Sequence, residues 1–154
     1  MSELLHKVLS LEFKRTNRFI VKYSSPFEDI QPIITYKANR PIYNALKSKW
    51  EDITLLLRDP IFPSTSKILI KGLESIKERK KYRKEISRLE HKSLINPEFI
   101  YIEIEMLDPT GVVVEKWNIK GKIKKVNFGV LDYTDDGLSH IELIFKVKSA
   151  TLSI

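Results

Sequence analysis

The run EFIYIEIEML limits what this chain can fold into, because Ile100, Ile102 and Ile104 alternate strictly with Tyr101, Glu103 and Glu105. A period of two belongs to a β-strand with one apolar and one polar face, not to a helix. The run stops at Asp108-Pro109-Thr110-Gly111. Pro109 presets the second position of a type I turn, and Gly111 suits the fourth. VVVEKWNIK then returns, so residues 99–119 are predicted as an antiparallel hairpin. Two strands sharing an apolar face are marginal alone in water. The rest of the chain must supply further strands and a cover for that face.

It supplies both. NRFIVKY (17–23) puts Phe19, Val21 and Tyr23 on one strand face, and SSPFEDIQP (24–32) reads as a loop. IITYKANRPIYN (33–44) is extended, and Pro41 assigns it to an edge or a bend. In KWEDITLLLRDP (49–60), Ile53, Leu55 and Leu57 share a strand face until Pro60 and Pro63 end it. Gly121 permits a bend or a bulge, DYTDDG (132–137) turns, and Ile141, Leu143, Phe145 and Val147 line one face of a last strand. Between the two β regions, Ser64, Thr65 or Ser66 can cap a helix with Leu69, Leu73 and Ile76 as its apolar stripe. Tyr82, Ile86 and Leu89 make a second stripe nearly opposite the first, which predicts a break near Lys77–Lys81. The expected fold is one mainly β domain over 1–154, a small antiparallel β-barrel or sandwich with a flanking helix. Residues 1–12 would be an arm and 77–96 a basic helical or loop insertion.

The net charge of +7 raises the question of polyanionic partners. Between Lys71 and Lys92 there are nine Lys or Arg and four Glu, so this segment alone contributes +5. A local run of that kind is ordinarily a solvated face. The apolar runs are too short to span a bilayer, so no membrane insertion is expected. The N-terminus MSELLHKVLSLEFKR lacks a signal-peptide layout. The absence of Cys fits a reducing compartment and removes thiolate chemistry. His6, His91 and His140 stand in no metal-binding spacing, and the five glycines make no phosphate cradle. Asp132-x-Thr134-x-Asp136-Gly137 resembles half of a calcium loop, but Leu143 stands where its closing Glu should be. Glu103 and Glu105 share one strand face and read as a solvated or intersubunit face. Trp50 and Trp117 read as core or interface anchors. No catalytic, cofactor or metal residue is predicted.

Trp50 opening a strand that ends near Asp59, a capped helix, and a hairpin turning at Asp108, Pro109 and Gly111 together form a pattern. It continues through Gly121 to Phe128, Gly129, Leu131, Asp132 and Tyr133 and a final alternating strand. This resembles the tail tube proteins of contractile-tailed bacteriophages, relatives of the type VI secretion tube proteins, over roughly residues 12–148. The resemblance implies a structural virion protein whose rings, six copies each, stack into a tube through which DNA passes without specific binding. It implies sheath and baseplate partners, and a place in a phage tail assembled in the bacterial cytoplasm. Baseplate components that start the tube, and terminators, share the fold. The chain departs from the pattern in a longer, more basic 77–96 and a shorter stretch between Tyr23 and Trp50.

Subunit contacts are expected from strand edges and from the arm. Ile33, Tyr36 and Pro41 lie in the segment least suited to a central strand. Leu4, Leu5, Val8 and Leu9 form an apolar stripe with no use in a core that later strands fill. Each could contribute about 1.5–3 kcal/mol if buried on a neighbour, before ordering costs. A rival reading, carried by the Lys71–Lys92 run, is a basic nucleic-acid-binding β-barrel. A third is an enzyme whose site has no recognisable motif.

Overall fold

The computed structural model describes residues 11–90 and 99–154, without the side chains of 86–90. Among these residues, eight strands and one helix occur in the order β1 (Phe19–Tyr23), β2 (Thr35–Ala38), β3 (Tyr43–Asn44), β4 (Lys49–Trp50), β5 (Ile53–Arg58), α1 (Thr65–Glu90), β6 (Ile100–Leu107), β7 (Val113–Asn127) and β8 (His140–Ser153). Six of the strands make one antiparallel sheet in the order β1-β6-β7-β8-β5-β2. β3 and β4 form a separate hairpin.

The inward faces follow the alternation read from the sequence. Val21, Ile102, Ile104, Ile119, Ile53, Leu55, Leu57, Ile141, Leu143 and Phe145 belong to one buried cluster. The sheet curls until its end strands nearly meet. Val21 donates its amide to the Pro32 carbonyl (3.1 Å), and the Tyr23 hydroxyl meets Thr35 Oγ1 at 2.6 Å, both side chains buried. Burial pushes the Tyr23 phenol far above its usual range, so this bond stays neutral across physiological pH. The result is a nearly closed barrel-like sheet.

Phe27 and Ile30 from the 24–30 loop, with Leu69 and Ile76 of α1, complete the core. Gly72 lets the helix approach, since a Cβ there would overlap the Phe27 ring. Ser64 caps the helix by accepting the Lys67 amide (3.3 Å), and Asp59 accepts from the Ser66 amide (3.2 Å) and hydroxyl (2.6 Å). The expected break near Lys77–Lys81 is absent: α1 is continuous from Thr65 to Glu90. The break was inferred on the premise that both apolar stripes need burial, yet Tyr82 of the second stripe is exposed. Lys, Arg and Glu are strong helix formers, so the overhanging part persists without a core to face.

The sheet also extends further than the alternation suggests. β8 continues past Val147 to Ser153, because a bulge opposite Lys120 and Gly121 leaves Lys148 without a partner residue and restarts the ladder at Ser149. A second irregularity, between Ile123 and Lys125, leaves Lys124 out of register, and its Nζ reaches Asp52 at 2.7 Å.

Candidate assembly surface

β7 and β8 are longer than their neighbours, and this stagger leaves backbone edges open. β6 stops pairing with β7 at Ile100–Gly121, while β7 runs on to Asn127. β5 stops pairing with β8 at Ile53–Phe145, while β8 runs on to Ser153. Among the described residues no strand pairs with these extensions on that side. An open edge of this kind invites another strand unless something guards it.

Large apolar side chains stand in solvent at several connections. Ile61 and Phe62 sit between β5 and α1, Leu46 in the β3–β4 turn, and Val130, Leu131, Tyr133 and Leu138 in the loop between β7 and β8. That loop, 128–139, is exposed throughout yet locally shaped. Asp132 Oδ1 accepts the Thr134 amide (2.9 Å) and hydroxyl (2.8 Å), and Asp135 Oδ1 accepts the Gly137 amide (2.8 Å). The bonds from Thr134 hold the Asp132 carboxyl below its ordinary range. These are Asx turns, and they account for the half calcium motif. Among the described residues no three His, Asp or Glu side chains gather as a metal site.

The fold sorts charges that the sequence interleaves. From Val126 to Ser139 the chain carries three Asp and no Lys or Arg. Lysines collect instead around a groove of about 900 Å³ between the β3–β4 hairpin and the β7–β8 ladder. Lys47 and Lys49 line it from the hairpin, and Lys122, Lys146 and Lys148 from the ladder. Tyr43, Trp50 and Phe99 are its aromatic lining. Trp50 meets Tyr43 edge-on at 4.9 Å and Trp117 at 6.3 Å, which stiffens the hairpin against the sheet.

At the other end of β7, Glu115 is a buried carboxylate with three donors. Lys14 Nζ lies at 2.7 Å, Arg40 Nη1 at 3.1 Å and Trp117 Nε1 at 3.0 Å. Burial pushes its pKa up, but the bonds from Lys14, Arg40 and Trp117 outweigh that and hold it below the ordinary value. The cluster fastens the N-terminal segment and the β2–β3 connection to β7. The alternation contained the signal: Glu115 shares its strand face with Trp117 and Ile119, so it points inward and must be paired.

The residues expected at subunit contacts fall into three groups. Leu4, Leu5, Val8 and Leu9 lie outside the described residues. Ile33 is 75% exposed and available to a partner. Tyr36 is half-buried with the Arg58 guanidinium 3.8 Å above its ring, and Pro41 is half-buried before the β3–β4 hairpin. At the hairpin turn, Gly111 donates its amide to the Asp108 carbonyl (3.1 Å) at φ +89°, and Pro109 is exposed. Asp108 Oδ1 accepts from Thr110 Oγ1 (2.7 Å) and from the Thr110 and Val112 amides (both 2.9 Å). Thr110 foremost keeps the Asp108 carboxyl below its ordinary range. Among the described residues no helix is long and apolar enough to cross a membrane.

No protein-family model matches the chain, and no curated protein matches it in sequence. Solved structures do match. A chain of the PVC sheath–tube complex in the extended state, from an extracellular contractile injection system, superposes with a TM-score of 0.61 at 13% identity, covering 96% of each chain. A chain of the sheath/tube terminator of such a system gives 0.56 at 14% identity, covering 94% of this chain and 99% of that one. A chain of the anti-feeding prophage baseplate gives 0.52 at 10% identity, covering 94% and 97%. Barrel-like sheet, flanking helix and near-complete mutual coverage lead to one conclusion: this chain has the tail-tube-like fold found in contractile injection systems.

Proposed function

We propose that the protein is a tube subunit of a phage tail or related contractile apparatus, self-associating into stacked rings of six around a channel for DNA. The observation that carries this reading is the surface of the single copy: open extensions of β7 and β8 beside apolar side chains that no part of the described chain covers. A monomer would be penalised for both features, whereas a polymer uses them. Sheath and baseplate proteins would be the outer and terminal partners, and assembly would take place in the bacterial cytoplasm. No catalysis or cofactor enters the reading. A tube initiator or terminator of the same fold is the variant reading, supported by the terminator and baseplate chains among the structural neighbours.

DNA must slide through such a channel, and phosphate contacts are cumulative. The Lys77–Lys84 side of α1 therefore belongs on the outer wall or between rings. Negative-stain microscopy and sedimentation of the purified chain test the proposal. Rings or tubes are expected. A monomer that shifts duplex DNA would instead favour the nucleic-acid-binding reading. Deleting residues 1–11 should leave a folded monomer if the arm joins neighbours, and unchanged rings would remove the arm from the contact.

A further inference from the structure

We infer that the acidic loop 128–139 of one copy docks in the lysine groove of the next. This rests on the self-association proposed above and specifies its contact. The loop offers Asp132, Asp135 and Asp136 with exposed Leu131 and Tyr133 between or beside them. The groove offers exposed Lys47, Lys49, Lys146 and Lys148 around the rings of Tyr43 and Trp50. The net charges are opposite: three Asp and no cation on the loop, five Lys against two carboxylates around the groove, with aromatic side chains on both.

The two surfaces of one copy cannot meet. The loop caps the β7–β8 ladder at Asn127–Glu142, whereas the groove lies beside Lys122–Lys146. From His140 to Lys146 the strand spans about 20 Å, and its pairing on both sides prevents folding back. The loop's occupant is therefore another molecule, and so is the groove's. Because loop and groove are different patches, their contact is head-to-tail, the kind that closes a ring or propagates a filament. Duplex DNA suits the groove less well. Glu51 and Asp52 also line it, and phosphates would meet these carboxylates, while a loop with the exposed Tyr133 hydroxyl can donate to them.

Charge exchange tests the contact. The loop variant carries Asp135→Lys and Asp136→Lys, and the groove variant carries Lys146→Glu and Lys148→Glu. All four positions are exposed, and circular dichroism checks that the sheet is retained. Asp132 is kept because it shapes its turn through two bonds; Asp135 accepts one, from the exposed Gly137 amide, and recovery of the combined variant separates its charge from that bond. Each variant alone should weaken assembly by about a hundredfold or more in concentration, since like charges would face each other. The chain carrying all four changes, and an equimolar mixture of the two variants, should assemble again. Single variants that assemble like the parent, or a combined variant that does not recover, overturn the docking while rings of the parent keep the tube reading. A parent chain that stays monomeric removes both. A groove variant that loses duplex DNA binding with assembly unchanged reassigns the groove to nucleic acid. A synthetic peptide of residues 126–141 should slow assembly of the parent, and no effect at large excess counts against the contact.

Discussion

Gly121 lets β7 pass close to β8. A Cβ there would overlap the Lys146 carbonyl oxygen and stand 2.7 Å from the Phe145 ring. Neither can retreat, because one is ladder backbone and the other is core. Gly121→Ala is expected to lower the unfolding free energy by about 1–3 kcal/mol, the usual cost of overpacking. Gly111 is the contrast: its surroundings are empty, and its φ of +89° is the whole constraint. Gly111→Ala should cost about 1–2 kcal/mol from backbone strain alone. Urea midpoints of both variants distinguish contact from conformation. Glu115 sets an acid limit. Its folded pKa lies below the ordinary 4.5, so its stabilisation is fully present above that value and disappears as pH falls through the folded pKa. Glu115→Gln should remove this part of the acid transition. At pH 7 it should cost about 1.5–3 kcal/mol, the worth of a hydrogen bond to a charged group. The cations left behind, Lys14 and Arg40, are half-exposed and can turn to water.

At the scale of elements, β5, β6 and the first half of β8 were legible because a period of two identifies the buried face directly. Ile53, Leu55 and Leu57 are buried, as are Ile141, Leu143 and Phe145. Past the bulge at Lys148 the phase slips by one, so Ala150, opposite Ile119, packs on the core in a frame the alternation does not reveal, while Leu152, opposite Trp117, is exposed. The arrangement of α1 was misread for a different reason. Stripe analysis asks which side is buried and assumes that something is there to bury it. Leu69, Gly72 and Ile76 meet the core, but from Lys77 to Glu85 the helix faces water, apart from a half-buried Arg83. One continuous helix therefore has two stabilities. In amide exchange, residues 68–76 should open only with the whole domain, whereas 78–90 should open by fraying, far faster. Equal protection along the helix in the folded domain would contradict this. The groove was not legible at all, since it joins lysines from three distant segments.

For the whole molecule, net charge is a poor guide and its placement a good one. The sequence locates most of the +7 in one segment and leaves the remainder near neutral. Folding turns that neutral remainder into an acidic tip and a basic flank. A body built this way exerts a torque on an approaching copy before any contact forms. That torque selects the productive orientation from among many, which is how charge placement raises association rates. It fades once salt shortens the screening length to about 8 Å or less. If the proposed docking holds, added salt should lengthen the lag before assembly more than it loosens assemblies already formed, because pairs in contact are screened less than separated ones. Light scattering after a salt jump separates the two. In the assembly proposed above, a fixed ionic strength would then act as a clock, setting how soon copies begin to find one another.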